Sequence, residues 1–143
     1  MRIEALLDAK GAVVVTVPPD ATVSEALALL DRHNVGALVV SSDGRAVAGI
    51  VSERDVVRHL HRRGAPVLAD PVSSIMTSEI RTCSRQAEVD SLAALMTEHR
   101  IRHVPVVDSG VLVGIVSIGD VVKSRIGELE ADRQALEDFI HAR

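Results

Sequence analysis

The sequence predicts an α+β fold made of two tandem copies of one β-α-β-β-α unit. Three observations predict it. At an offset of 66, residues 17–42 and 83–108 share six identities in 26 positions. At an offset of 65, residues 47–57 and 112–122 share seven in 11: Gly, Ile, Val, Ser, Asp, Val and Val. Segments follow the same order in both halves, so the chain is a duplicated unit of roughly 60 residues. Finally, 143 residues at 47% hydrophobic and 25% charged suffice for a packed core without disulfides or metal. With 1% aromatic residues, that core must be aliphatic.

The copies divide the chain into a first unit at 1–63, a linker at 64–71, a second unit at 72–126 and a helical extension at 127–143. Each unit opens with a β-rich run, at 12–17 and 79–83. A helix follows. Thr22 and Glu25 have capping-box spacing, and Val23, Ala26, Leu27 and Leu30 form an apolar stripe at helical period. Val89, Leu92, Ala93 and Met96 repeat the stripe without the box. Strands are expected at 37–40 and 47–51, and again at 104–107 and 112–116, with hairpin turns at Asp43-Gly44 and Ser109-Gly110. A second helix begins near Ser52 and near Ser117. One such unit covers a small sheet on one face only, so two units can pack through their open sheets.

Several function classes are disfavoured. The net charge of −4 and the lack of Trp and Tyr argue against a nucleic-acid binder. The single Cys83 forms no internal disulfide, and an inert, buried thiol is expected in a reducing, cytoplasmic setting. No signal peptide or apolar run of membrane-spanning length is apparent. There is no nucleophile elbow, P-loop or dinucleotide GxGxxG, so no enzyme is expected. His59 and His61 fall on different helix faces, which disfavours a metal site. Arg54, Arg58 and Arg62 form one helical stripe, read as a solvated face or an anion-binding patch.

The duplicated motif Gly49-Ile50-Val51-Ser52-Glu53-Arg54-Asp55 and Gly114-Ile115-Val116-Ser117-Ile118-Gly119-Asp120 resembles that of the CBS domain, the cystathionine β-synthase repeat. Ile101 to Asp108 (IRHVPVVD) and Met76-Thr77 match it as well, and the tandem resembles a CBS pair, or Bateman module, over residues 1 to about 126. The resemblance implies two CBS units packed through their small sheets, and a homodimer shaped as a flat disk. It implies a regulatory module that binds AMP, ADP or ATP between the units and acts on a protein partner not identifiable from sequence. NAD(H), S-adenosylmethionine or a ligand-free interaction module are the alternatives. No catalytic cofactor is implied.

The expected ligand-binding residues are Ser52, Arg54, Asp55, Thr82, Arg102, His103, Val104, Pro105, Ser117 and Asp120. Ser52/Asp55 and Ser117/Asp120 admit two readings. Each pair caps a helix, or its carboxylate accepts from ribose hydroxyls while the hydroxyl and first-turn amides meet a phosphate. Adenine would rest on aliphatic residues near 14–16 or 80–82. Arg102 and His103 replace Gly36 and Ala37 of the first copy, and cations there suit a phosphate; both are grouped with the Asp120 site. Val122, Ile126, Leu129, Leu136 and Ile140 form a heptad-like seam, with Arg133 in its gap. That seam is expected to pack on the partner of a homodimer or across the disk, unless Gly127 breaks the helix.

Overall fold

The computed structural model describes residues 1–11 and 14–142. Helix α1 (Ile3–Lys10) comes first, then β1 (Thr16–Val17), α2 (Val23–His33), β2 (Ala37–Val40), β3 (Gly49–Ser52) and α3 (Glu53–Arg63). Two short 3-10 turns lead to α4 (Val89–His99), β4 (His103–Asp108), β5 (Val111–Ser117) and α5 (Ile118–His141). In the first copy β1 pairs parallel with β2, and β2 antiparallel with β3. In the second, β4 and β5 form an antiparallel pair. The α+β class is the one the sequence predicts, and the helix-strand-strand-helix part of the unit recurs in both copies.

Local signals explain most boundaries. Thr22 Oγ1 accepts from the Glu25 amide and the Glu25 carboxylate from the Thr22 amide, so the box forms. Glu88, at the matching point of α4, makes no side-chain cap. Ser109 and Gly110 both take positive φ, 51° and 77°, as a two-residue turn between right-twisted strands needs.

The Asp43-Gly44 turn is not a tight hairpin but part of a longer loop. Asp43 Oδ1 accepts from the amides of Arg45 at 2.8 Å and Ala46 at 2.9 Å, and this local bonding displaces the ladder. The run 79–83 is not a strand either. Only Cys83 bridges Val106, its amide donating to Pro105 O at 3.1 Å and its carbonyl accepting from Val107 N at 2.9 Å. Glu79 and Arg81 upstream are exposed and join no ladder. For the first-copy run, Ala12 and Val13 lie outside the described residues.

The two cores exchange their leading segments. Ile3, Leu6 and Leu7 of α1 pack with Val89, Leu92, Met96, Val104 and Val116 in the second core. Conversely, Val67, Val72 and Ile75 pack with Val17, Val23, Leu30 and Val51 in the first. Backbone bonds fix both crossings: Ile3 N donates to Ala87 O at 2.9 Å, and Val72 N to Ala21 O at 2.7 Å. Helix α1 was not anticipated, although Ile3, Leu6 and Leu7 stand at i, i+3 and i+4.

Gly127 does not interrupt α5. The seam on that helix is uncovered in the single chain, with exposure from 50% at Val122 to 66% at Ile140. Cys83 is half-buried, and burial pushes its thiol up to about 11, so it stays protonated at neutral pH.

Candidate functional site

The strand-to-helix junction is built alike in both copies. Ser52 is the N-cap of α3 and Ser117 that of α5. The first helical amides, of Glu53 and Ile118, donate to the carbonyls of Gly36 at 3.0 Å and Arg102 at 2.8 Å. Those carbonyls lie just before β2 and β4, so each motif is tied to the entrance of its neighbouring strand.

Both Ser/Asp pairs form capping boxes. Asp55 Oδ2 accepts from Ser52 N at 2.9 Å and Ser52 Oγ at 3.0 Å, while the Asp55 amide donates to Ser52 Oγ at 3.2 Å. Asp55 Oδ1 has no hydrogen-bond partner among the described residues. One carboxylate oxygen thus holds the cap and the other is open to a ligand, so the two readings of this pair are compatible.

A cleft of about 410 Å³ opens at this junction. It is lined by Gly36, Ile50 and the first turns of α3, by Thr77 and 79–81 ahead of α4, and by residues 99–103 at the end of α4 and start of β4. Ile50, Ile80 and Ile101 supply apolar surface, and Gly36 leaves room beside the His103 ring. The cleft brings together Ser52, Arg54, Asp55, Arg102 and His103. Arg102 and His103 therefore share the cleft of the first motif, while Asp120, with which sequence grouped them, still acts on His103 electrostatically. The long-range crossing explains this: the β4 entrance faces the α3 N-terminus of the other copy. Arg58 also lines the cleft and Arg62 does not, which divides the arginine stripe between cleft and solvent.

The other expected residues lie outside this cleft. Thr82 is exposed beside Cys83, Val104 is fully buried in the second core, and Pro105 is buried opposite Ile115 in the β4–β5 ladder. Ser117 and Asp120 sit at the α5 N-terminus, where Lys10 meets them. Lys10 Nζ donates to Asp120 Oδ2 at 2.6 Å and to Ile115 O at 2.8 Å. Burial opposes ionisation of Asp120, but the Lys10 hydrogen bond, the Ser117 amide and the Lys10 charge outweigh it and hold the carboxyl below its ordinary value. Sequence reasoning missed Lys10 and Arg100, which lie outside the motifs they serve; it named Thr77 as a motif match and 80–82 as an adenine surface without assigning Thr77 or Arg81 a place in the cleft. His59 Nδ1 bonds the Asp55 carbonyl at 2.8 Å within its own helix. No His, Cys, Asp or Glu cluster suited to a metal occurs among the described residues. None of their helices is long and apolar enough to cross a membrane.

Burial lowers the proton affinity of His103 from its ordinary 6.5, although Asp120 and Glu53 pull it the other way. The folded state therefore keeps His103 neutral where the unfolded chain begins to bind a proton. Stability contributed at this position is present above pH 6.5 and declines as the pH falls below it. Melting temperatures from pH 7.5 to 5.5 should drop for the native chain and flatten for His103→Gln. Parallel curves for the two would remove His103 from this dependence.

The CBS domain family model matches residues 12–62 and 72–127. A CBS domain-containing mitochondrial protein of Arabidopsis thaliana, CBSX3, is 41% identical over 125 residues, 85% of this chain; the chain spans 61% of that relative's length. The crystal structure of a CBS-domain containing protein from Agrobacterium tumefaciens superposes with a TM-score of 0.84 at 46% identity, covering 87% of this chain and 99% of that one. A CBS domain protein from Pyrobaculum aerophilum complexed with AMP gives 0.75 at 34% identity, covering 84% and 89%. The CBS domain pair of protein MJ0100, in complex with 5-methylthioadenosine and S-adenosyl-L-methionine, gives 0.79 at 25%, covering 90% and 98%. Two whole-unit matches in tandem, on a fold shared with solved CBS pairs, establish that this chain belongs to the CBS domain family.

Proposed function

We propose that this chain is a non-catalytic regulatory module that binds an adenine nucleotide in the cleft at Ser52 and Asp55. The observation that carries the reading is the open Asp55 Oδ1 beside the α3 N-terminus, in a cleft that also holds isoleucines and unpaired cations. Adenine packs on Ile50, Ile80 and Ile101, Asp55 accepts from the ribose, and Ser52, Arg54 and Arg102 meet the phosphate. The AMP complex of the Pyrobaculum relative supports this ligand class. Binding would alter the packing of the two copies and so change the surface offered to a protein partner.

A ligand that binds only the folded state raises its stability, by about 2.7 kcal/mol at 100 times Kd. Saturating nucleotide should therefore raise the melting temperature of this chain by several degrees. No shift with AMP, ADP, ATP, NADH or S-adenosylmethionine would reject the sensor reading in favour of a ligand-free interaction module. Because Lys10 already engages Asp120, titration of the native chain should give one nucleotide per chain.

The module also reads as a homodimer. Val57 on α3 and Val122 at the matching point of α5 are 65% and 50% exposed, and the α5 seam continues the apolar surface. Sedimentation should show a dimer at micromolar concentration, weakened by deletion from Glu128 onward. A monomer at that concentration would reject it.

A further inference from the structure

We propose that the Ser52–Asp55 cleft selects a nucleoside di- or triphosphate over a monophosphate and over a sulfonium nucleoside, through Arg58, Arg81 and Arg100 acting with Arg54 and Arg102. This rests on the adenine-nucleotide reading of the cleft and goes beyond it by assigning the tail. All five arginines line the cleft, together with Glu53, Asp55 and Glu79, and none of the five is within ion-pair distance of a carboxylate among the described residues. Elsewhere, Arg2, Arg63, Arg85, Arg125 and Arg133 are each paired with an acid, while Arg32, Arg45 and Arg62 are unpaired among the described residues but scattered, so what marks the cleft is five unpaired arginines in one place. Arg54 and Arg58, four residues apart, share one face of α3 and extend the positive lining a full turn past Asp55.

The repeat shows that the fold does not require these arginines. The residues at the corresponding positions of the other half are Gly119 for Arg54, Lys123 for Arg58, Val15 for Arg81, Asn34 for Arg100 and Gly36 for Arg102. Four of the five cations are absent there, although both halves build the same junction. Arg100 makes the point most sharply. It closes α4 in the left-handed conformation at φ 54°, and its counterpart Asn34 does so at φ 50°. Asn tolerates that region readily, whereas a long side chain there is uncommon and worth a functional explanation.

Phosphate geometry converts the count into a ligand class. A guanidinium grips a phosphate through two parallel N–H···O bonds to a pair of oxygens. A terminal monophosphate has three such oxygen pairs, so it can satisfy at most three arginines in this way. Two more arginines require a second phosphate. A sulfonium nucleoside brings positive charge into a cleft where five arginines outnumber Glu53, Asp55 and Glu79, and is disfavoured.

The test is calorimetry of the full chain with adenosine, AMP, ADP, ATP and S-adenosylmethionine, without divalent cation, at two salt concentrations. ATP is expected to bind at least about tenfold more tightly than AMP, with a gap that narrows at high salt. Arg100→Asn, which installs the residue its repeat counterpart uses, and Arg81→Gln should each move the ATP-to-AMP ratio toward one. Equal affinity for AMP and ATP, or arginine variants that lower both equally, would overturn this inference and leave the adenine-nucleotide reading standing. Tightest binding of S-adenosylmethionine would also overturn it. Failure of every adenine compound to bind would overturn the underlying reading as well.

Discussion

Asp55→Asn should weaken nucleotide binding about 10- to 100-fold. A hydrogen bond to a charged group is worth about 1.5–3 kcal/mol, and about 1.4 kcal/mol is tenfold in affinity. The substitution keeps an acceptor but removes the charge that the ribose hydroxyls would meet through Oδ1. It also weakens the capping box, since Oδ2 accepts from both Ser52 N and Ser52 Oγ. That part should cost about 1 kcal/mol of stability and a few degrees of melting temperature, so affinity has to be measured well below the transition. Asp120→Asn is the matched comparison. Its carboxylate is held by Lys10, so the same change should lower stability and leave first-cleft affinity within about twofold. Unchanged affinity in Asp55→Asn, with folding intact, would mean that Ser52 and Asp55 serve only as a helix cap.

Gly49→Ala should destabilise the chain by about 2–3 kcal/mol, and Gly114→Ala by clearly less, although the two glycines hold the same place in the repeated motif. A Cβ at Gly49 would lie 2.7 Å from the Thr77 carbonyl oxygen. That oxygen is fixed, because Ile50 N donates to it at 3.0 Å and Thr77 N donates back to Ile50 O at 2.8 Å. The added methyl must displace a backbone bridge. A Cβ at Gly114 would meet Leu7 Cδ2 at 2.7 Å, the end of a flexible side chain that can rotate away. Because Thr77 and 79–81 line the cleft, Gly49→Ala should also reduce nucleotide affinity, whereas Gly114→Ala should not. Equal melting losses in the two variants would show that the Thr77 bridge does not set the difference.

Much of this architecture was legible because it is local or duplicated. The Thr22–Glu25 box, the Ser52 and Ser117 helix starts, and the stripes at Val23, Ala26 and Leu30 and at Val89, Leu92 and Met96 each depend on a few neighbouring residues. The motif comparison likewise brought Ser52, Arg54 and Asp55 forward. What escaped depends on distant pairing. Helix α1 has only eight residues, and its apolar face has meaning only against a core whose other members begin near residue 83. The grouping of Arg102 and His103 with Asp120 followed membership of one copy, whereas the cleft is built across copies. The run 79–83 carried strand-like residues at Ile80 and Thr82, but only Cys83 reaches a partner strand. Arg100 carries no signal in the sequence; only its left-handed backbone and its place at the cleft, taken together, single it out.

The exchange of leading segments also sets an order on biosynthesis. Helix α1 is synthesised before its core partners: the residues that bury Ile3, Leu6 and Leu7 run from Val89 to Val121. An eight-residue helix is marginal in water by itself. At roughly 5–20 residues per second, α1 waits about 5–20 s with these side chains unsatisfied. The first copy likewise finishes its interior only when Val67, Val72 and Ile75 have been made. The first core, whose buried members all lie between Val17 and Ile75, can therefore close during synthesis, whereas the second closes only when Val121 has been made.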